Sequence, residues 1–184
     1  MVPDAAAHRS QRPAGGTARQ NGDVPATAIK DARAQHWLRA VSNLVNLSTP
    51  LGLLVAAGGR SSVRLGPELL VVCEGYRLPL PKAGAFTIGN VVLVPRGTLA
   101  GVEGVHPGTL GHEARHSSQY AWSLGLPFLA AYALASGWSW LRTGDAWSRN
   151  WFERNAGLAH GGYVEKPADN AGLRRIGRGL RLSR

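Results

Sequence analysis

Cysteine is almost absent from this 184-residue chain. Cys73 stands alone, so no intramolecular disulfide can form and stability must come from an apolar core or a bound metal. Within "LLVVCEGY" it reads as a small buried apolar residue. Acids are also scarce, 11 against 21 Lys and Arg. The imbalance is uneven: five Lys/Arg face three acids over 1–36, ten face seven over 37–165, and six face one over 166–184. A nucleic-acid footprint needs a basic, aromatic-interleaved patch in the folded region, and the middle of the chain lacks one, which makes nucleic acid an unlikely partner. No apolar stretch of about 7 to 15 residues follows the early basic residues, so a secretory signal peptide is not expected and the expected location is cytoplasmic.

What is present is enough for one domain. At 44% hydrophobic residues the chain belongs with globular proteins. Residues 1–34, rich in Ala, Gly, Pro, Arg and Gln, read as a disordered tail, 35–165 as a single domain, and 166–184 as a flexible basic tail. In "DARAQHWLRAVSNLVNLSTP", Trp37, Leu38, Val41, Leu44, Val45 and Leu47 suit one helix face, with Pro50 as the stop. Strands are expected near 69–74, 76–79, 85–88 and 91–94, where Val, Leu, Tyr and Phe are punctuated by Gly and Pro. "GN" between Ile88 and Val91 fits a hairpin turn or a bulge. A helix is expected from about 107 to 122, another from Pro127, and a third carrying Trp147, Trp151 and Phe152. The overall expectation is an α+β fold, with a small antiparallel sheet followed by helices.

Tyr120 to Leu141 runs 22 residues without a charge, with Trp122 near one end and Trp138 and Trp140 near the other. In the tail "GLRRIGRGLRLSR", Leu173, Ile176 and Leu180 fall on one helical face among arginines. An alternative reading follows: a non-enzymatic membrane-associated protein in which 120–141 inserts and the arginines contact anionic headgroups.

The chemistry-bearing motif is "LGHEARHSSQY". His112, Glu113 and His116 have H-E-x-x-H spacing, for which this chain's own composition gives an expected chance count of roughly 0.006. On a helix, positions i and i+4 lie about 40° apart around the axis and about 6 Å along it, so two imidazoles converge on one ion. Glu113 then stands beside the ion, where a general base takes a proton from activated water. Zinc requires a third ligand; Asp145, Glu153, His160, Glu165 and Asp169 are the downstream candidates, and Glu153 in "NWFERNAG" is favoured over His160. Gln119 and Trp122 occupy the positions where a metzincin has Gly and His, which excludes that class.

"AFTIGNVVLV", "LGHEARHSSQY" and "FERNAG" together resemble gluzincin-type zincin metallopeptidases, most nearly small bacterial H-E-x-x-H peptidase-like domains of unassigned function. The similarity covers about residues 68–163. It implies a zincin-like fold, His112, His116 and Glu153 as Zn²⁺ ligands, Glu113 as catalytic base, and a peptide or protein substrate. It also implies that "AFTIGNVVLV" is an edge strand along which an extended peptide pairs. Tyr163 is the candidate for substrate binding and oxyanion stabilisation. One departure is Gly157, where the family pattern places an Asp that orients a ligand histidine; Asn155 and Asp145 are the residues that would substitute.

Overall fold

A computed structural model describes residues 26–79 and 83–182. Residues 1–25 lie outside the described residues, and with them most of the tail expected at 1–34. The order of elements is α1 (Ala26–Val45), α2 (Ser48–Gly58), β1 (Ser62–Leu65), β2 (Val71–Tyr76), β3 (Phe86–Ile88), β4 (Val91–Pro95), α3 (Leu99–Val105), α4 (Thr109–Trp122), α5 (Pro127–Thr143), α6 (Trp151–Ala156) and α7 (Ala171–Leu182). This is a mixed α+β arrangement.

The sheet has the order β1-β2-β4-β3. β1 and β3 pair antiparallel with their neighbours, but β2 and β4 run parallel, with Val72 beside Val92 and Cys73 beside Leu93. The expected antiparallel sheet is therefore corrected to a mixed one. Its cause is the connection after Tyr76, which carries the chain past the place of β4 to the far edge before β3 begins. The hairpin at Gly89-Asn90 then returns β4 into the gap, parallel to β2. No strand forms at 77–79, and β1 is one that the sequence did not announce.

β4 explains its own run of apolar residues. Val91, Val92, Leu93 and Val94 are all fully buried, because a central strand covered on both faces loses the alternation of a half-exposed one. Val92 and Val94 join Leu70, Val72, Leu99 and Ala114 on one face, toward α3 and α4. Val91 and Leu93 join Ala56, Cys73 and Tyr76 on the other, toward α2.

α1 differs from expectation in orientation. Among its described side chains the buried ones are Arg39 and Asn43, whereas Trp37, Leu38, Val41, Leu44 and Val45 are exposed. A polar network decides this. Arg39 donates to Asn90 Oδ1 at 3.2 Å, Asn43 donates to the Ser117 carbonyl at 2.9 Å, and Ser117 Oγ reaches Asn90 Oδ1 at 2.9 Å. The helix ends at Val45 rather than at Pro50, the chain turns at Leu47, whose φ is 67°, and Pro50 sits in the first turn of α2, where its missing N–H is harmless.

The uncharged run 120–141 is likewise not one helix. α4 closes at Trp122, the chain turns through Leu124 and Gly125, both with positive φ, and α5 begins at Pro127 after a bend of 118°. Among the described residues no single helix is long and apolar enough to cross a membrane. At the C-terminus, residues 171–182 are helical, and Gly172 packs so closely on α5 that a Cβ there would lie 2.1 Å from the Trp140 carbonyl oxygen.

Candidate metal centre

α4 is positioned before its motif begins. Gly108 precedes it in a left-handed conformation, and Glu103 replaces a conventional cap by accepting from the N–H groups of Gly108 (2.8 Å) and Leu110 (2.6 Å). Asn150 caps α6, its side chain accepting from the Phe152 N–H at 2.9 Å. These two helices bring His112, His116 and Glu153 into one buried group whose candidate ligand atoms all lie within 4.8 Å of one another.

The inner geometry is tight. His112 Nε2 and His116 Nε2 stand 3.0 Å apart. Glu153 Oε2 is 3.3 Å from His112 Nε2, and Glu153 Oε1 is 3.6 Å from His116 Nε2. Tyr132, reaching in from α5, donates its hydroxyl to Glu153 Oε1, while Oε2 is buried without any hydrogen-bond partner.

The outer nitrogens settle the tautomers. His112 Nδ1 lies 3.0 Å from the Gly157 carbonyl oxygen, which can only accept. His116 Nδ1 lies 2.8 Å from Gln119 Oε1, and Gln119 is fixed in that sense because its Nε2 donates to the Phe152 carbonyl (3.0 Å) and to Asn155 Oδ1 (3.1 Å). Both Nδ1 atoms therefore carry hydrogen, and both rings turn Nε2 toward the same point. Two Nε2 atoms and a carboxylate oxygen without a hydrogen-bond partner meet in this buried volume, an arrangement that positive charge between them, a proton or a metal ion, stabilises. The donor set, two imidazole nitrogens and one carboxylate oxygen, is the set that zinc takes in open sites, so the residues present fit such an ion.

Electrostatics follow the same pattern. Burial works to raise the Glu153 carboxyl, but His112, His116 and Tyr132 outweigh it and hold it down at about 2. Burial also opposes charge on His116, yet Glu153 and Glu113 leave it raised. Glu113 is pushed up by burial, partly countered by both histidines and by Thr87. Thr87 on β3 donates to Glu113 Oε2 at 2.7 Å, tying the edge strand to the motif helix. Burial and Glu153 push the Tyr132 hydroxyl far up, which keeps it a donor.

The other sequence candidates fall elsewhere. His160 is exposed on the turn after α6. Asp145 caps its own turn by accepting from the Trp147 and Ser148 N–H groups, Glu165 pairs with Arg149 and Arg154, and Asp169 pairs with Arg174. Asn155 supports Gln119 rather than a histidine. Tyr163 stacks on Trp147 with ring centroids 5.1 Å apart and lies 6.3 Å from the His112 ring.

Gly157 has φ 98° and ψ 96°, a conformation that L side chains rarely adopt, and it presents its main-chain oxygen where an acid was expected. Thr87 and Tyr132 were not singled out from sequence. The only signal for Thr87 is a lone hydroxyl between Phe86 and Ile88. For Tyr132 it is the one phenol in an otherwise apolar segment. Comparison with protein-family models, with curated proteins and with solved structures finds no match to this chain.

Proposed function

We propose that the chain is a zinc-dependent hydrolase of the metallopeptidase kind, with a zincin-like site. The observation that supports this reading above all is the pair of inward-facing Nε2 atoms, 3.0 Å apart and beside the unpartnered Oε2 of Glu153. His112, His116 and Glu153 hold the ion, and Glu113 is the base. When bound, zinc supplies Lewis acidity toward water and toward a substrate carbonyl.

The protein's own groups do the rest. Glu113 takes a proton and returns it to the leaving group, and its burial favours the protonated state that must form midway. Thr87 holds one Glu113 oxygen through a 2.7 Å bond, which leaves the other to receive that proton. Tyr132 holds Glu153 Oε1 and so keeps Oε2 on the side of His112. Tyr163, half-buried beside His112, is the group placed to bind substrate near the reacting carbonyl. A peptide or protein is the substrate class this reading favours, and the free edge of β3 offers it backbone pairing.

Elemental analysis of protein purified without chelators is the test. The expected result is near-stoichiometric zinc that is lost in His112→Ala and Glu153→Ala. Glu113→Gln should retain the metal and lose hydrolysis of a denatured protein substrate. Absent zinc rejects the metal reading, and a Glu113→Gln variant as active as the parent rejects the catalytic one.

A further inference from the structure

Two helix pairs expose what helices ordinarily bury. α1 and α2 meet at a 75° bend around Leu47, and α4 and α5 meet at 118° around Leu124 and Gly125. The two elbows abut: a Cβ on Gly125 would lie 2.6 Å from Asn46 Cγ and 2.8 Å from the Asn46 carbonyl oxygen. Around this junction Val45 is 75%, Leu47 62%, Trp122 87% and Leu124 79% exposed. Single exposed leucines are ordinary, but a contiguous projection of this kind marks an interaction surface.

Charge is arranged to match. No Asp, Glu, Lys or Arg occurs over 40–59 or 116–141, and arginine bounds each run at both ends: Arg39 and Arg60, Arg115 and Arg142. Arg60 and Arg115 are exposed, and Arg142 lies over the Trp138 ring at 5.6 Å. Packed on α5, α7 adds exposed Arg175 and Arg178, while Arg174 pairs with Asp169. An apolar projection whose two runs are flanked by exposed Arg60 and Arg115 is complementary to an anionic bilayer, whose hydrocarbon lies beneath negative headgroups. A second copy of the chain would instead oppose arginine to arginine, with no acid in either run to pair them.

We infer that the paired elbows dock on an anionic lipid surface. Val45, Leu47, Trp122 and Leu124 enter the acyl boundary by about 5–10 Å, and exposed Arg60 and Arg115 meet headgroup phosphates. This is interfacial seating, not a crossing, and it rests on the surface alone, independently of the metal.

The full chain is mixed with vesicles of phosphatidylcholine containing phosphatidylglycerol. Expected are co-flotation that weakens with salt, and tryptophan emission quenched by brominated acyl chains. Leu47→Asp with Leu124→Asp should reduce flotation by about tenfold or more. Leu65→Asp, on equally exposed β1, should leave it unchanged. Failure to float at low salt, equal flotation by the elbow variant, or a soluble dimer dispersed by those same aspartates overturns the inference. Should the double variant fail to fold, Trp122→Phe decides. A lost quenching component supports docking, and unchanged quenching overturns it.

Discussion

Gln119 Oε1 accepts from His116 Nδ1 at 2.8 Å, one turn along the same helix, and so determines which nitrogen of that ring is turned toward His112 and Glu153. Gln119→Leu frees the ring to rotate and to change tautomer. Zinc affinity is expected to fall about 10 to 100-fold, measured by competition with a chromophoric chelator. Affinity equal to the parent's would remove Gln119 from this role.

Gly161 is pressed against the His112 ring. A Cβ there would lie 2.6 Å from His112 Cε1 and 2.8 Å from His112 Nε2, so Gly161→Ala must displace either the imidazole or the loop. The same competition assay should show weakened zinc binding. Gly104→Ala, where a Cβ meets nothing within 4 Å, should bind as the parent does.

Gly157→Asp supplies a carboxylate where the sequence lacks one, and it is expected to harm rather than help. At φ 98° an L side chain is strained, at a cost of about 1–3 kcal/mol, and its Cβ would stand 3.2 Å from His160 Nδ1. Denaturant unfolding should report that loss, with no gain in zinc affinity. A more stable, tighter-binding variant would contradict this account.

Zinc should stabilise the folded chain. At about 100 times its dissociation constant a ligand specific to the native state adds about 2.7 kcal/mol. For a chain of this size that raises Tm by roughly 5–10 °C. Thermal melts with zinc and with a chelator measure the difference, and Glu153→Ala should abolish it.

Glu74 gives the pH dependence a sign. Its bonds from Arg64 (3.1 Å) and from the Leu99 N–H (2.8 Å) hold the carboxyl below its ordinary value. A group depressed in the folded state contributes stability above its unfolded pKa, about 4.3, and loses it as pH falls through the lower folded value. Glu74→Gln should therefore be less stable than the parent at neutral pH, and the gap should close in acid. A constant gap across that range would exclude ionisation as its origin.

Spacing alone made the motif legible. Two histidines at i and i+4 share a helix face wherever that helix lies, and the acid 37 residues later needed only a second helix to face them. Orientation was not legible in the same way. The stripe Trp37, Leu38, Val41, Leu44 and Val45 gives α1 an apolar face, but Arg39 and Asn43, bonded through Asn90 and Ser117, turn the opposite face inward. Likewise "VVLV" reads as a strand, while its parallel pairing depends on where the chain crosses after Tyr76. Thr87 and Tyr132 escaped notice because their partners, Glu113 and Glu153, lie 26 and 21 residues away with no local pattern to link them.

The Gly157 carbonyl that accepts from His112 has a chemical consequence of its own. A main-chain oxygen has no proton to gain and no rotamer to change, so the acceptor that aims the His112 ring is the same at every pH. Being uncharged, it also withdraws less charge from the centre than a carboxylate would. Two neutral imidazoles and one carboxylate around a dication leave a net +1, so a loaded centre would attract an electron-rich oxygen more strongly than one with a further acid behind it.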